Sequence, residues 1–244
     1  MSELSEASRD VARACRVLAA HGQDHLTLGH VGIRLAHGAG IAVKAAGLGL
    51  AEVTTSDVVV TDPDGIPVSA DARLHSELPI HTRILHARDD VGAVVHTHPM
   101  VAAGFLASDA TFACVSQDSV HFLDRLAWFD DPRLIDTTVR GDALAATLGS
   151  ARAVLIRNHG IVTVGASVAE AVFWAVSLVN SLRVQQQAAA FGGVREIPPD
   201  LGREMADAFA EGLERRIEGA WRQLVRGIAV DRGFESVVEG DDGR

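Results

Sequence analysis

The chain has no tyrosine, a single lysine at position 44, and two cysteines, Cys15 and Cys114, in 244 residues. Without a phenol, no tyrosine can donate a proton, and any Schiff-base chemistry would rest on Lys44 alone. That lysine ends a short apolar run with no sign of a desolvating pocket, and reads as a solvated surface residue. The cysteines lie about a hundred positions apart among alanine and valine, which excludes a disulfide framework or a cysteine zinc knuckle and leaves two buried core thiols. Positive charge is scarce as well: 22 Lys and Arg face 32 Asp and Glu, a formal charge of −10. Nucleic acid is excluded as a partner, because neutralising phosphates needs a basic face. An anionic substrate would have to find its positive charge locally, in a metal ion or a few arginines. No apolar run approaches the roughly 20 residues of a membrane span. Met1 to Arg13 is polar where a secretion signal would be apolar, so a cytoplasmic protein without a membrane partner is expected.

What is present is an ordinary globular balance, 48% hydrophobic and 22% charged, read as one domain over 1–232 with a mobile acidic tail at 233–244. Val11, Cys15 and Leu18 recur at helical spacing up to His21-Gly22. His30 to Leu35 alternates as a strand and pairs with Ile41 to Lys44 as a hairpin; Val58 to Val60 and Ile66 to Val68 flank Asp-Pro-Asp-Gly as a second hairpin. A helix is expected over Ser76 to Ala87, with Pro79 tolerable only in its first turn and Glu77 near its start. Val91 to His98, Ala153 to Ile156 and Ile161 to Val164 read as strands. Ser167-x-x-Glu170 is a capping box opening a helix that runs to Phe191. Beyond Pro198-Pro199, apolar residues from Met205 to Leu224 recur at three- and four-residue steps, as in one amphipathic helix.

Two of those strands run into histidines. In His96-Thr97-His98 the period-two alternation puts both imidazoles on one side, where they can share an ion. The pair alone also fits core histidines that merely satisfy hydrogen bonds. Asn158-His159-Gly160 adds a third imidazole after an apolar strand, with glycine permitting a tight bend. Three imidazoles and an open position describe a catalytic site rather than a closed structural one.

Leu74-His75-Ser76-Glu77, Val91 to Pro99 and Arg157-Asn158-His159-Gly160, in that order and spacing, resemble the class II aldolase/adducin family from about Leu4 to Gln187. The resemblance implies a three-layer α/β/α sandwich around a mostly antiparallel sheet, assembled as a homotetramer with active sites near subunit contacts. It implies that His96, His98 and His159 ligate one divalent ion per subunit (zinc, manganese, iron or cobalt), and that Glu77 is the acid/base residue and a candidate fourth ligand. The competing reading of Glu77 is a first-turn carboxylate that complements the helix dipole. Sugar-phosphate aldolases of the family surround the substrate phosphate with a Gly-Asn, a Ser/Thr-Gly and a Ser-Ser-Glu. The matching places here are Gly29-His30, Ala46-Gly47 and His75-Ser76-Glu77, which makes His30, Gly47, His75 and Ser76 candidate substrate contacts. The tyrosine that serves such aldolases as proton donor is missing. The segment from Leu134 through Arg140-Gly141-Asp142 to Gly160 looks most like the decarboxylase branch, whose members act on hydroxylated aromatic or hydroxypyridine dicarboxylates. Glu77, His30 or His75 would then deliver the product's proton, and Arg34 would clamp a second carboxylate unless it is an edge-strand surface charge. The alternative is aldolase or epimerase action on a small hydroxy-carbonyl or sugar-phosphate compound. His25, His37, His86 and His121 have no partner pattern and read as structural or surface residues.

Overall fold

The computed structural model describes residues 3–232; the acidic tail expected at 233–244 lies outside the described residues. Helices and strands follow in the order α1 (Glu3–Ala20), β1 (His30–Arg34), β2 (Ile41–Lys44), β3 (Val58–Thr61), α2 (Leu78–Ala87), β4 (Ala93–Thr97), α3 (Met100–Leu106), β5 (Leu126–Phe129), α4 (Thr138–Leu148), β6 (Ala153–Ile156), β7 (Ile161–Gly165), α5 (Val168–Ala190), α6 (Pro199–Ala210) and α7 (Leu213–Arg232). The strands form one sheet in the order β3-β2-β1-β4-β7-β6-β5, antiparallel except for the β5–β6 pair.

Alternation along each strand sorts its residues between two helical layers. Val31 and Val95 pack with Val11, Leu18, Val172 and Leu224 of α1, α5 and α7. Val94, Val154 and Val162 pack with Ile80 and Ile84 of α2 and Leu144 and Leu148 of α4. The α/β/α sandwich with a mostly antiparallel sheet is therefore the observed architecture. Ile80 and Ile84 are fully buried, and each contributes about 2 kcal/mol by its removal from water. No helix among the described residues is long and apolar enough to cross a membrane.

Two expectations need correction, and one helix start moves by two residues. The C-terminal helix is two: α6 ends at Ala210, and Gly212, at a φ of +70°, turns the chain into α7. A single apolar periodicity passes through that break without registering it. The second hairpin reduces to one strand and an isolated bridge from Thr61 to Pro67, since a proline offers no N–H to extend a ladder. Helix α2 begins at Leu78, so Pro79 falls in its first turn as required and Glu77 becomes its N-cap.

Candidate functional site

By strand alternation His96 shares the face of Val94, the side on which α2 lies. β1 pairs with β4 so that His30 stands opposite His96, and β7 holds the other edge of β4 with Val162 opposite His96. His98 follows β4 one residue past its end. The β6–β7 hairpin carries His159 on a turn whose left-handed residue is Asn158, at a φ of +53°, rather than Gly160. The glycine serves a different need: a Cβ at position 160 would lie 2.6 Å from His98 Cδ2 and 2.6 Å from the Thr97 carbonyl oxygen. The hairpin can close on His98 only because that atom is missing.

Four side chains converge here. One donor atom each from Glu77, His96, His98 and His159 lies within 4.8 Å of all the others. The rings of His96 and His98 are 4.5 Å apart and perpendicular, and those of His98 and His159 are stacked at 5.1 Å. Glu77 leaves the helix cap unmade; its Oε1 accepts the Ile135 N–H at 2.9 Å and lies 3.4 Å from His159 Nε2, while Oε2 lies 3.5 Å from His96 Nε2. Burial alone would raise the Glu77 carboxyl, but the imidazoles of His159 and His96 outweigh it and hold it well below the usual carboxylate range. Burial, reinforced by His96 and His159, pushes His98 down to about 2, so its ring is neutral.

The donor set fits a cation. His96 Nδ1 lies 3.0 Å from the Ile161 carbonyl, which can only accept, so the proton sits on Nδ1. The buried Nε2 has no hydrogen-bond partner and lies 3.5 Å from Glu77 Oε2, so the two atoms face each other with nothing bonded between them. A cation in that gap would satisfy both. A histidine oriented through its second nitrogen onto a carbonyl is the usual support for a ligating imidazole.

A wall of nitrogen groups adjoins this cluster. The His30 ring lies 5.0 Å from that of His96 and 4.6 Å from that of His75, and His30 Nδ1 is hydrogen-bonded to His81 Nε2 at 2.7 Å. His75 Nε2 in turn meets Lys44 Nζ at 3.2 Å. Burial pushes His81 to about 3, and burial with Lys44 nearby pushes His75 to about 4; His30 is driven well below its ordinary value by burial and by His81. Burial also lowers the ammonium of Lys44. Gly47 lies exposed in the loop after β2 at a φ of +87°, and Ser76 is exposed beside Glu77.

Two residues are not where the sequence put them. Arg34 is no carboxylate clamp: its guanidinium donates to the carbonyls of Leu85, Arg88 and Val91, at the far end of α2 from Glu77. Lys44 is no surface lysine but fully buried, its Nζ donating to the Ala45 carbonyl. The sequence reading missed His81, although its spacing of four from Glu77 puts both on one helical face. It also missed the Ile135 N–H, which no side-chain pattern could have revealed.

A model of the class II aldolase and adducin N-terminal domain matches residues 9–186. The chain belongs to this family. It is 35% identical to a 3,4-dihydroxyphthalate decarboxylase from Terrabacter sp. (strain DBF63), over 88% of this chain and 94% of that one. A 3,4-dihydroxyphthalate decarboxylase from Arthrobacter keyseri is 32% identical, over 90% and 93%. Among solved structures, L-fuculose 1-phosphate aldolase from Glaciozyma antarctica PI12 superposes with a TM-score of 0.84 at 24% identity, covering 96% of this chain and 92% of that one, a likeness of fold.

Proposed function

We propose that the chain is a metal-dependent decarboxylase of a hydroxylated aromatic or heteroaromatic dicarboxylate. The observation that carries this reading is the wall of nitrogen groups, His30, His75 and Lys44, beside the Glu77 and histidine cluster. It suits an acid with two carboxylates, and the two decarboxylase relatives, whose printed substrate is such an acid, support it. His96, His98 and His159 would hold one divalent ion per subunit, with Glu77 a fourth donor only until the substrate's oxygens take its place, and zinc, manganese, iron and cobalt are all compatible with these donors. When bound, the ion acts as a Lewis acid that draws charge from the substrate oxygens beside the scissile carboxylate.

The chain's own groups complete the reaction. Glu77 is held as an anion and takes the proton of a ring hydroxyl. The bond from ring to carboxylate breaks, its electron pair stays on the ring carbon, carbon dioxide leaves, and Glu77 returns the proton to that carbon. The Lys44–His75 pair, in contact at 3.2 Å, would supply the positive charge for the carboxylate that is retained. Assembly as a homotetramer with the site near subunit contacts belongs to the same proposal; Met100 and Leu134, 74% and 53% exposed, lie next in the chain to the site segments ending at Pro99 and beginning at Ile135, and such a contact would cover them.

The test is elemental analysis of the purified protein, then carbon dioxide release from 3,4-dihydroxyphthalate measured beside cleavage of L-fuculose 1-phosphate. Gas from the aromatic acid and no sugar cleavage is the expected result. Sugar cleavage without gas would reverse the assignment.

A further inference from the structure

We infer that His81 is a positioning residue that fixes His30 as an Nε2–H donor for an anionic oxygen of the substrate. The inference rests on the decarboxylase reading for the identity of that oxygen, and on the described geometry for the donor itself.

The 2.7 Å bond between His81 Nε2 and His30 Nδ1 holds one proton, and two arrangements are open to it. Either His81 donates from Nε2 and leaves its Nδ1 bare, or His30 donates from Nδ1 and His81 carries its own proton on Nδ1. The surroundings of His81 Nδ1 decide. This atom is buried without a hydrogen-bond partner. Gly32 on β1 covers it over the ring face, where a Cβ would lie 2.5 Å from Nδ1 and 3.0 and 3.1 Å from the carbons beside it, so no acceptor stands there. An N–H at this nitrogen would be an orphaned buried donor that loses its bond to water with nothing in return, and orphaned buried N–H groups are rarer than under-satisfied acceptors. His81 therefore carries its proton on Nε2 and gives it to His30 Nδ1. Nδ1 of His30 is then an acceptor, and its ring proton sits on Nε2.

Burial keeps both rings neutral, which agrees with this arrangement. Nε2 is the one nitrogen of His30 left for a ligand, on a ring between those of His75 and His96. A neutral donor there favours a carboxylate or phenolate oxygen and gives nothing to a C–H edge.

The test uses zinc-loaded protein labelled with nitrogen-15 at histidine. Long-range proton–nitrogen spectra are expected to show His30, assigned through its loss in H30Q, with a bare Nδ1 and a protonated Nε2. Phthalate, a dicarboxylate without a hydroxyl to react, should shift the Nε2 signal on titration. Replacing His81→Leu should mix the two His30 tautomers and weaken phthalate binding about tenfold. His81→Gln, which restores an N–H donor, should recover most of it, and His30→Gln, whose amide nitrogen reaches the Nε2 position, should bind better than His30→Asn. A wild-type spectrum with the His30 proton on Nδ1 overturns the inference, as does an unmoved signal under saturating phthalate. Should His81→Leu fail to fold, the wild-type spectrum and the two His30 variants still decide. These readouts need no turnover: gas release with the wrong tautomer would sink the positioning role alone, and the right tautomer without gas release would sink the decarboxylase reading alone.

Discussion

Glu77 combines three properties seldom found together in a helix-capping residue: it is buried, it is anionic, and it leaves the cap unmade in favour of the Ile135 N–H and two imidazoles. Replacing it with glutamine keeps the volume and the hydrogen bond from Ile135 but removes the proton carrier. Turnover is expected to fall about 10²- to 10⁴-fold, the range for loss of a positioned acid/base group, with much of the metal retained by the three histidines. Steady-state rates and metal content measured on one preparation check this, and unchanged turnover would remove Glu77 from the mechanism. Lys44→Met tests the wall in a different way. It removes the charge proposed to face the retained carboxylate while keeping a side chain of similar length in the same buried position, so KM should rise about tenfold or more with a smaller effect on kcat. An unaltered KM would leave Lys44 a purely structural residue. The convergence of His96, His98 and His159 could be read from strand alternation and from histidines placed where apolar runs end. The burial of Lys44 could not, because a lone lysine at the end of a strand looks the same whether the strand is an edge or, as here, lies between two others under α1.

At the scale of elements, the site depends on how α2 lies along β1. One face of β1 presents His30, Gly32 and Arg34 in turn. His30 stands at the cluster, Gly32 leaves room for His81, and Arg34 ties down the carbonyls where the helix ends. Arg34→Met should therefore cost stability rather than affinity, about 2–3 kcal/mol for charged hydrogen bonds left without their donor. Denaturant unfolding measures the loss, and a KM that changed without it would return Arg34 to the pocket. Alternation correctly put His30 and Arg34 on the same side of the strand. Only the rise along the strand, about 3.3 Å for each residue, shows that four positions carry Arg34 past the pocket to the other end of α2. The break between α6 and α7 was hidden for a related reason, since hydrophobic periodicity reports which face is buried and says little about one glycine that turns the axis.

The whole molecule should be sensitive to acid. His75, His81 and His121 have ordinary values of 6.5 and are pushed by burial to about 4, 3 and 4. Between those values and 6.5 the unfolded chain binds protons that the folded chain refuses, so unfolding becomes easier as pH falls. Metal-free protein is expected to hold its Tm above pH 6.5 and lose it steadily from there toward pH 4; a flat profile across that window would mean that these rings are not neutral when folded. The layered architecture was readable because strands buried on both faces and a capped long helix leave strong signals. The stretch between α3 and α4 was not, because β5 and its parallel pairing depend on contacts far along the chain. The place where α2 crosses β1 has one more consequence. Positions 30, 32 and 81 share a single space: anything larger than glycine at 32 evicts the ring at 81, and without that ring the partner at 30 loses its orientation. Redirecting this pocket toward a different acid is therefore a problem in three coordinated substitutions, and libraries that vary one of these sites at a time should return mostly inactive clones.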